Sequence, residues 1–390
     1  MPFPGLDRAD LRRLLTALGA DAWLLYDFRG VNPVAKRVLG LGGMGSRRLF
    51  ASLPRDGEFV AVAHKIELQG LEGFPGRIVP YARWEELHSA LGDLVRGRTL
   101  AMEISADDAV PYLDRVPWGV VELIKRLGGK VVSSAPLVTR FAAAWSASEE
   151  ADHRYAAEVL AEVAQAELAR AVGEAGSGLT ESAMQARVVS ALGARGIVFD
   201  HPPIVAFGPN AANPHYEPVA GQDLVLAENQ VVLLDLWGGR SLETVFADQT
   251  WMGFAGRRVP EKVQRVWSVV REAREAAIAL VQQRAAAGLA VAGFELDRAA
   301  RGVIEGAGFG EWFVHRTGHS IDRDLHGSGP HLDSYETMDD RALGPGIGFS
   351  VEPGIYLTGD FGVRSEVDVY WGPSGPEVTP KLRQDALITP

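Results

Sequence analysis

Cysteine is absent from the 390-residue sequence. Its absence excludes disulfide bonds, a cysteine nucleophile and thiolate ligands for a metal ion. A metal ion bound by this chain must therefore use histidine, aspartate or glutamate side chains.

Long apolar runs are also missing from the sequence. No segment approaches the roughly 18 consecutive apolar residues of a membrane-spanning helix. The N-terminal segment MPFPGLDRADLRRLLTALGA lacks the apolar stretch of a secretory signal. We therefore expect a cytoplasmic protein with no membrane partner.

Positive charge is in deficit. Lys and Arg total 39 against 50 Asp and Glu, which gives a net charge of −11, and no basic cluster stands out. Such a chain repels phosphate backbones, so we expect no nucleic-acid partner. The hydrophobic share of 47% and the charged share of 23% are typical of globular proteins, and the length suits two or three domains.

Periodic patterns divide the chain into two predicted domains. Residues 1–145 combine leucines at helical spacing with short apolar runs, which predicts a small α/β domain. From residue 146 the sequence changes to alanine- and glutamate-rich helices, predicted over 148–172, 180–195 and 260–287, with strands and hairpins between them. The fold class predicted for the chain is α+β.

Two aspartates interrupt apolar, strand-like runs in the segment VVLLDLWGGRSLETVFADQTW. Twelve residues separate Asp235 from Asp248, so a hairpin turn near residues 238–243 would set them directly opposite each other on one face. Either residue alone is more commonly a strand end or a turn cap. Two carboxylates that lie so close together require a cation.

A second pair of acids lies in the segment GFSVEPGIYLTGDFGVRSEVDVYW. Glu352 ends one predicted strand and Glu366 lies inside the next. Pro353 restricts Glu352 to an extended backbone and so fixes the direction of its carboxylate. The segment therefore predicts a second hairpin that presents carboxylates.

Histidines are concentrated between these two hairpins. In HRTGHSIDRDLH, His315, His319 and His326 are spaced by four and then seven residues, which would align them on a helix. Gly318 and the β-branched neighbours favour a strand or loop instead. Any one of these histidines alone is more commonly an ordinary core residue.

The candidate ligands together are four carboxylates and one imidazole. This donor set suits a pair of divalent metal ions better than a closed structural zinc site. We expect manganese, with cobalt or zinc as alternatives. Two ions bridged by carboxylates are typical of hydrolases.

The chain resembles the pita-bread metallopeptidases, the superfamily of methionine aminopeptidase, aminopeptidase P, prolidase and creatinase. The resemblance rests on the order of the ligand candidates and on the motifs LLDLW, ADQT, HRTGHS, VEPGIY and GVRSEVD. It spans about residues 147–385. It implies a pita-bread catalytic domain at residues 146–390, preceded by a creatinase-type N-terminal domain at residues 1–145.

The resemblance also implies a role for each matching metal ligand. Asp235 would bind one ion, Asp248 and Glu366 would bridge both ions, and His319 and Glu352 would complete the site of the second. Glu352 would in addition act as general base toward a hydroxide that bridges the two ions.

The same resemblance implies the residues on the substrate side. His215 would lie beside the scissile bond, and His326 would contact the substrate carbonyl. His315 would line the proline pocket and Tyr356 would form a wall of the metal site. Arg364 would orient a bridging carboxylate or meet the substrate carboxylate.

The activity that the resemblance implies is hydrolysis of the Xaa-Pro bond, for which we favour dipeptides, as in a prolidase. A dipeptidase must bind the free proline carboxylate, and guanidinium groups suit that charge. Besides Arg364, the candidates are Arg47 and Arg48 of the N-terminal domain, for which an ordinary solvated pair is the alternative.

Three alternatives for the whole chain stay open. The first is an Xaa-Pro aminopeptidase, or aminopeptidase P, acting on longer peptides. The others are a metal-independent amidinohydrolase similar to creatinase and a catalytically inert peptide- or protein-binding scaffold. Residues 31–46 form a candidate loop for pairing subunits, so we expect a homodimer, although a buried loop is an equal alternative.

Overall fold

The computed structural model describes residues 6–41 and 45–390. They divide into two compact units, of which the first ends at Ala144 and the second begins at Trp145. The sequence placed the division between domains after residue 145. None of the described helices combines the length and the apolar character needed to cross a membrane.

Within its described residues, the first unit contains one six-stranded sheet and five α-helices. The strands are β1 (Ala22–Phe28), β2 (Arg48–Pro54), β3 (Phe59–His64), β4 (Gly76–Tyr81), β5 (Thr99–Met102) and β6 (Lys130–Ser133). The helices are α1 (Arg8–Ala17), α2 (Pro33–Leu39), α3 (Trp84–Val95), α4 (Trp118–Arg126) and α5 (Ala135–Phe141). The strand order is β4-β3-β2-β1-β5-β6. The β1–β2 and β2–β3 pairs are antiparallel, and the other pairs are parallel.

Helices cover both faces of this sheet. Trp23 and Leu25 of β1 pack with α1, α2 and α5, whereas Leu24 and Tyr26 pack with α3 and α4. Successive strand residues point to opposite faces, so one apolar strand supplies both cores. The predicted small α/β domain is confirmed as the architecture of this unit.

The second unit contains four helices and three sheets among its described residues. The helices are α6 (Ala147–Gly173), α7 (Glu181–Ala194), α8 (Glu261–Ala286) and α9 (Gly293–Gly306). The strands are β7 (Ile204–Phe207), β8 (Val231–Gly238), β9 (Ala247–Phe254), β10 (Ser320–Ile321), β11 (Gly348–Val351), β12 (Gly354–Leu357), β13 (Phe361–Arg364), β14 (Val367–Gly372) and β15 (Gly375–Thr379). The sheets have the orders β7-β8-β9, β10-β11-β14-β15 and β12-β13.

Local sequence explains where the long helices begin. Ser146 and Glu149 form a capping box, in which Ser146 N donates to Glu149 Oε2 (2.7 Å) and Glu149 N donates to Ser146 Oγ (3.3 Å). Thr180 caps α7 by accepting a hydrogen bond from Ala183 N (3.2 Å). The predicted helices over 148–172, 180–195 and 260–287 are confirmed as α6, α7 and α8. Helices α6 and α7 pack on the sheet of β7, β8 and β9.

The register of the β8–β9 hairpin differs from the predicted one. Asp235 pairs with Thr250, and Asp248 pairs with Trp237. The two aspartates share a face of the hairpin but lie diagonally, because the connection occupies residues 239–246 and shifts the register by two residues. The shared face was predicted correctly, and the directly opposite placement was wrong.

The histidine segment before β10 is not helical, as its composition indicated. A Cβ atom added to Gly318 would lie 2.0 Å from Ser350 O, so only glycine permits this close approach to β11. Thr317 O accepts a hydrogen bond from Glu352 N (2.7 Å), and Ser350 N donates to His319 O (2.8 Å). This segment is therefore held against the strand that leads to Glu352.

The proposed subunit-pairing loop has a helix in its middle, since α2 covers Pro33–Leu39. Val31 before it is exposed. Residues 42–44, which include Met44, lie outside the described residues. The homodimer stays a prediction.

His153 of α6 provides a test of how this fold depends on pH. The imidazole is completely buried between Phe246 O (2.8 Å from Nδ1) and Thr379 Oγ1 (2.7 Å from Nε2). A carbonyl only accepts hydrogen bonds, so Nδ1 carries the proton of a neutral ring. Burial lowers the pKa of His153 to about 4 from the usual 6.5.

We expect the metal-free protein to lose up to about 3 kcal/mol of unfolding free energy through this one group as the pH falls from about 6.5 to about 4. The sign follows because the unfolded chain binds the proton first. His153→Gln should lose part of its stability at neutral pH, and its stability should then depend less on pH. Urea unfolding across this range measures the effect, with exposed His201→Gln as control. Parallel pH curves for His153→Gln and the parent protein would contradict the assignment.

Candidate metal centre

The predicted metal ligands come from five places in the second unit. Asp235 lies on β8 and Asp248 on β9, while His319 immediately precedes β10. Glu352 follows β11, and Glu366 lies in the short connection between β13 and β14. Four of these residues are buried, and the Glu352 side chain is 14% exposed.

Three of the five converge most closely. One ligand atom from each of Asp248, His319 and Glu366 lies within 4.8 Å of the others. His319 Nε2 is 3.5 Å from Asp248 Oδ2 and 3.5 Å from Glu352 Oε1. The structure therefore gathers four predicted ligands, namely the His319 imidazole and three carboxylates around it.

The tautomer of His319 suits metal binding. Its Nδ1 lies 3.2 Å from Ser320 O, which only accepts, so Nδ1 carries the proton and the Nε2 lone pair faces the carboxylates. Its backbone N–H donates to Ser350 Oγ (3.0 Å), and Ser350 Oγ lies 3.3 Å from Glu352 Oε1. Ser350 thus connects the imidazole ligand to the neighbouring carboxylate.

The carboxylates of this cluster oppose one another electrostatically. Burial raises the pKa of Asp248 well above its usual value, and the negative charge of Asp235 raises it further. Burial, together with Asp248 and Glu352, raises the pKa of Glu366 in the same direction. Burial also raises the pKa of Glu352, although His319 acts against this. Several buried negative charges and a neutral imidazole fit divalent cations bound by oxygen and nitrogen.

Asp235 has a different environment from the other predicted ligands. Its carboxylate forms an ion pair with Arg364 of β13, and its Oδ1 lies 3.2 Å from Thr250 Oγ1. Thr250 Oγ1 also donates to Glu366 Oε2 (2.7 Å) and accepts from Arg364 Nε (2.8 Å). Thr250 therefore joins Asp235, Glu366 and Arg364 in one buried network.

Some of the predicted substrate-side residues have contacts at or near this centre. The His315 Nε2 atom is 2.8 Å from the Tyr356 hydroxyl, and Tyr356 is buried. The ring of His326 lies edge-on to that of His319, with centroids 4.4 Å apart. The neighbouring His319 imidazole and burial together lower the pKa of His326 to about 3. His215 is exposed.

Arg47 directly precedes β2 in the first unit, and Arg48 is the first residue of that strand. Both line a cavity of about 260 Å³, together with Arg29 and Lys36. The Glu67 carboxylate of this cavity is occupied by the main-chain N–H groups of Ser46 (2.7 Å) and Arg47 (3.2 Å). The cavity therefore presents four cationic side chains, while the carboxylates of Glu67 and of Asp27, which also lines it, are already hydrogen-bonded.

Sequence reasoning missed residues that hold the histidine segment from behind. Asp297 of α9 is completely buried and accepts hydrogen bonds from Thr317 N (2.9 Å) and Thr317 Oγ1 (2.6 Å). Arg301, one helical turn later, donates to Phe313 O (3.0 Å) and His315 O (2.7 Å). The spacing of an acid and a base four residues apart on a helix is visible in the sequence. The sequence does not show that this pair holds the histidine segment.

Thr250 was also missed, although the sequence carries a signal for it. It lies two residues after Asp248 on a strand, and such residues share a face. A hydroxyl on the face that bears the carboxylates is a candidate for orienting them.

We expect Thr250→Val to weaken metal affinity by about 10- to 100-fold, because the candidate ligands Asp235 and Glu366 lose the hydroxyl that orients them. Calorimetric titration of the metal-free protein with Mn²⁺ measures this. Thr244→Val is the matched control, since Thr244 is also buried and donates to Asp152 (3.0 Å). Equal affinities for the two variants would show that the Thr250 hydroxyl does not support the ligands.

Comparison with known proteins agrees with this geometry. The model of metallopeptidase family M24 matches residues 151–372, more than half of the chain. The Xaa-Pro dipeptidase of Lactobacillus helveticus is 37% identical over 163 residues, which are 42% of this chain and 40% of that protein. This chain therefore matches less than half of that relative's length.

Solved structures match over nearly the whole chain, as two of them illustrate. A prolidase from Thermococcus sibiricus is 25% identical with a TM-score of 0.67, covering 99% of this chain and 100% of that one. The dipeptidase PepE from Mycobacterium ulcerans has a TM-score of 0.73 at 22% identity, covering 98% and 96%, and shows the fold alone. The predicted fold class and the resemblance to the pita-bread enzymes are confirmed, and the chain belongs to metallopeptidase family M24.

Proposed function

We propose that this protein is a metal-dependent peptidase that hydrolyses the Xaa-Pro bond of dipeptides. The observation that carries the proposal is the buried cluster of Asp248, His319 and Glu366 with Glu352 beside it. The similarity of the chain to an Xaa-Pro dipeptidase and to a prolidase supports the choice of substrate.

Five residues would hold two divalent ions, for which we propose manganese: Asp235, Asp248, His319, Glu352 and Glu366. Divalent ions at these carboxylates would supply Lewis-acid chemistry, polarising the scissile carbonyl and lowering the pKa of water. The Arg364 guanidinium forms an ion pair with Asp235, and its Nε atom lies 3.9 Å from Glu366 Oε2. It fixes the direction of both carboxylates.

Glu352 is the proposed general base. Its backbone is held by the hydrogen bond to Thr317 O, and its Oε1 is near both Ser350 Oγ and His319 Nε2. A carboxylate whose pKa is raised by burial accepts a proton from the attacking water and returns it to the leaving nitrogen of proline.

Histidines and a tyrosine form the proposed substrate side. A proline nitrogen in a peptide bond has no N–H, so ring contacts replace a hydrogen bond in recognising it. His315 and Tyr356 would provide such ring contacts, with centroids 5.4 Å apart. The completely buried Phe313 packs against His315, with centroids 5.2 Å apart. His326 would stabilise negative charge at the carbonyl oxygen, and His215 would assist at the scissile nitrogen or the substrate amine.

A catalytically inert scaffold fits the structure less well. Burying several mutually repelling carboxylates is costly unless cations neutralise them. The proposed homodimer and cytoplasmic location do not affect this argument.

The metal-loaded protein should hydrolyse Ala-Pro faster than Ala-Pro-Ala, measured as kcat/KM after stripping the metal and adding back manganese. Asp248→Asn should lose bound metal and activity together, because it removes one charge from the central cluster. A preference for the tripeptide would identify an Xaa-Pro aminopeptidase, the alternative proposal. Absence of metal-dependent turnover with both peptides would overturn the proposed function.

Arg47 and Arg48 are proposed to bind the free proline carboxylate. Arg47→Ala and Arg48→Ala should each reduce the preference for the dipeptide, about tenfold for a lost charge-assisted contact. The readout is the ratio of kcat/KM for Ala-Pro and Ala-Pro-Ala. Arg77→Ala, on β4 of the same unit and largely exposed, is the control. If both variants keep the parent ratio, these arginines have no role in substrate choice.

A further inference from the structure

Glu181, the first residue of α7, has a completely buried carboxylate outside the metal centre. Its Oε1 accepts a hydrogen bond from Phe207 N (2.6 Å), and its Oε2 accepts from the Tyr216 hydroxyl (2.7 Å) and Leu224 N (2.8 Å). Asn210 Nδ2 lies 3.1 and 3.0 Å from the two oxygens. A buried carboxylate is stable only when it is hydrogen-bonded in this way. One side chain thus links the end of β7 with the chain on both sides of His215.

The segment of residues 208–216, called here the His215 segment, is also fixed from the opposite side. A Cβ atom on Gly362 of β13 would lie 1.9 Å from Ala211 O, so the two backbones touch. Arg364 Nη1 lies 3.5 Å from Pro214 O, and the same guanidinium pairs with Asp235. The residue before His215 is therefore contacted from the metal centre.

His215 itself has little to fix it. Its side chain is exposed, and among the described residues only its backbone N–H forms a hydrogen bond, to Asn213 Oδ1 (3.2 Å). The position of the imidazole is therefore set by its neighbours Pro214 and Tyr216. Tyr216 has the stronger restraint, since its hydroxyl bonds to a buried charge.

We propose that Glu181 and Tyr216 are positioning residues that hold His215 beside the metal centre. This inference rests on the proposed function, in which His215 assists at the scissile bond. Neither residue touches the substrate. Their effect on the reaction passes through the backbone on either side of His215.

Tyr216→Phe is the first test, because it removes one hydroxyl and keeps the ring. We expect kcat for Ala-Pro to fall about tenfold while the manganese content stays that of the parent, as for loss of a group that orients a catalytic side chain. The matched control is Tyr155→Phe, which likewise removes one tyrosine hydroxyl. The Tyr155 hydroxyl donates to Arg195 O (3.0 Å), away from the His215 segment. If Tyr216→Phe is as active as this control, the proposal is wrong.

A double-mutant cycle separates positioning from a general structural effect. In a His215→Ala background, Tyr216→Phe should reduce kcat no further, because the group that it positions is gone. An equal loss in both backgrounds would show that Tyr216 acts independently of His215 and would overturn the inference.

Backbone hydrogen exchange tests the inference without activity. Glu181→Gln keeps the size of the side chain but leaves one acceptor oxygen for donors that had two. Amide exchange should therefore accelerate across residues 208–216 and not in β8. Tyr216→Phe should accelerate exchange in the same residues by a smaller amount. If the parent cleaves no Xaa-Pro peptide, the proposed function fails, and this measurement still decides whether the two residues hold the His215 segment. Unchanged exchange in Glu181→Gln would overturn that.

Discussion

Repulsion between buried carboxylates is the constraint on which the candidate metal centre depends. Asp248, Glu352 and Glu366 lie where burial raises the pKa of each, and they further disfavour one another's charge. Without cations, this part of the second unit would favour protonated carboxyl groups over carboxylates. The strands and loops around the centre must therefore hold the ligands in place against forces that would separate them.

The structure meets this constraint with polar groups fixed in the surrounding elements. Thr250 and Arg364 orient the carboxylates from within the sheets. Asp297 and Arg301 of α9 hold the segment that contains His315 and His319. Besides packing in the second unit, α9 therefore supplies buried charged side chains that fix the position of the histidine segment.

The candidate ligands on β8 and β9 could be picked out from the sequence because a carboxylate inside an apolar strand is conspicuous. Asp235 and Asp248 were placed correctly on one face of a hairpin, since that depends only on the period of two in a strand. Their register was not, because the connection of residues 239–246 is longer than the expected turn. Glu181 gave no comparable signal, since an acid near a helix start is ordinary in any sequence. The spacing of Asp297 and Arg301 was visible, but it did not show which segment this pair holds.

The sequence by itself determined the chemistry open to this protein. Without cysteine, its metal ligands had to be oxygen and imidazole nitrogen, and the order of acids and histidines was enough to indicate the family. Only the tertiary structure decided which donors converge, that Asp235 pairs with Arg364, and which buried acids support the histidine segments. The physical reason is that these contacts join residues far apart in the chain, so their distances follow from packing and burial and not from local spacing.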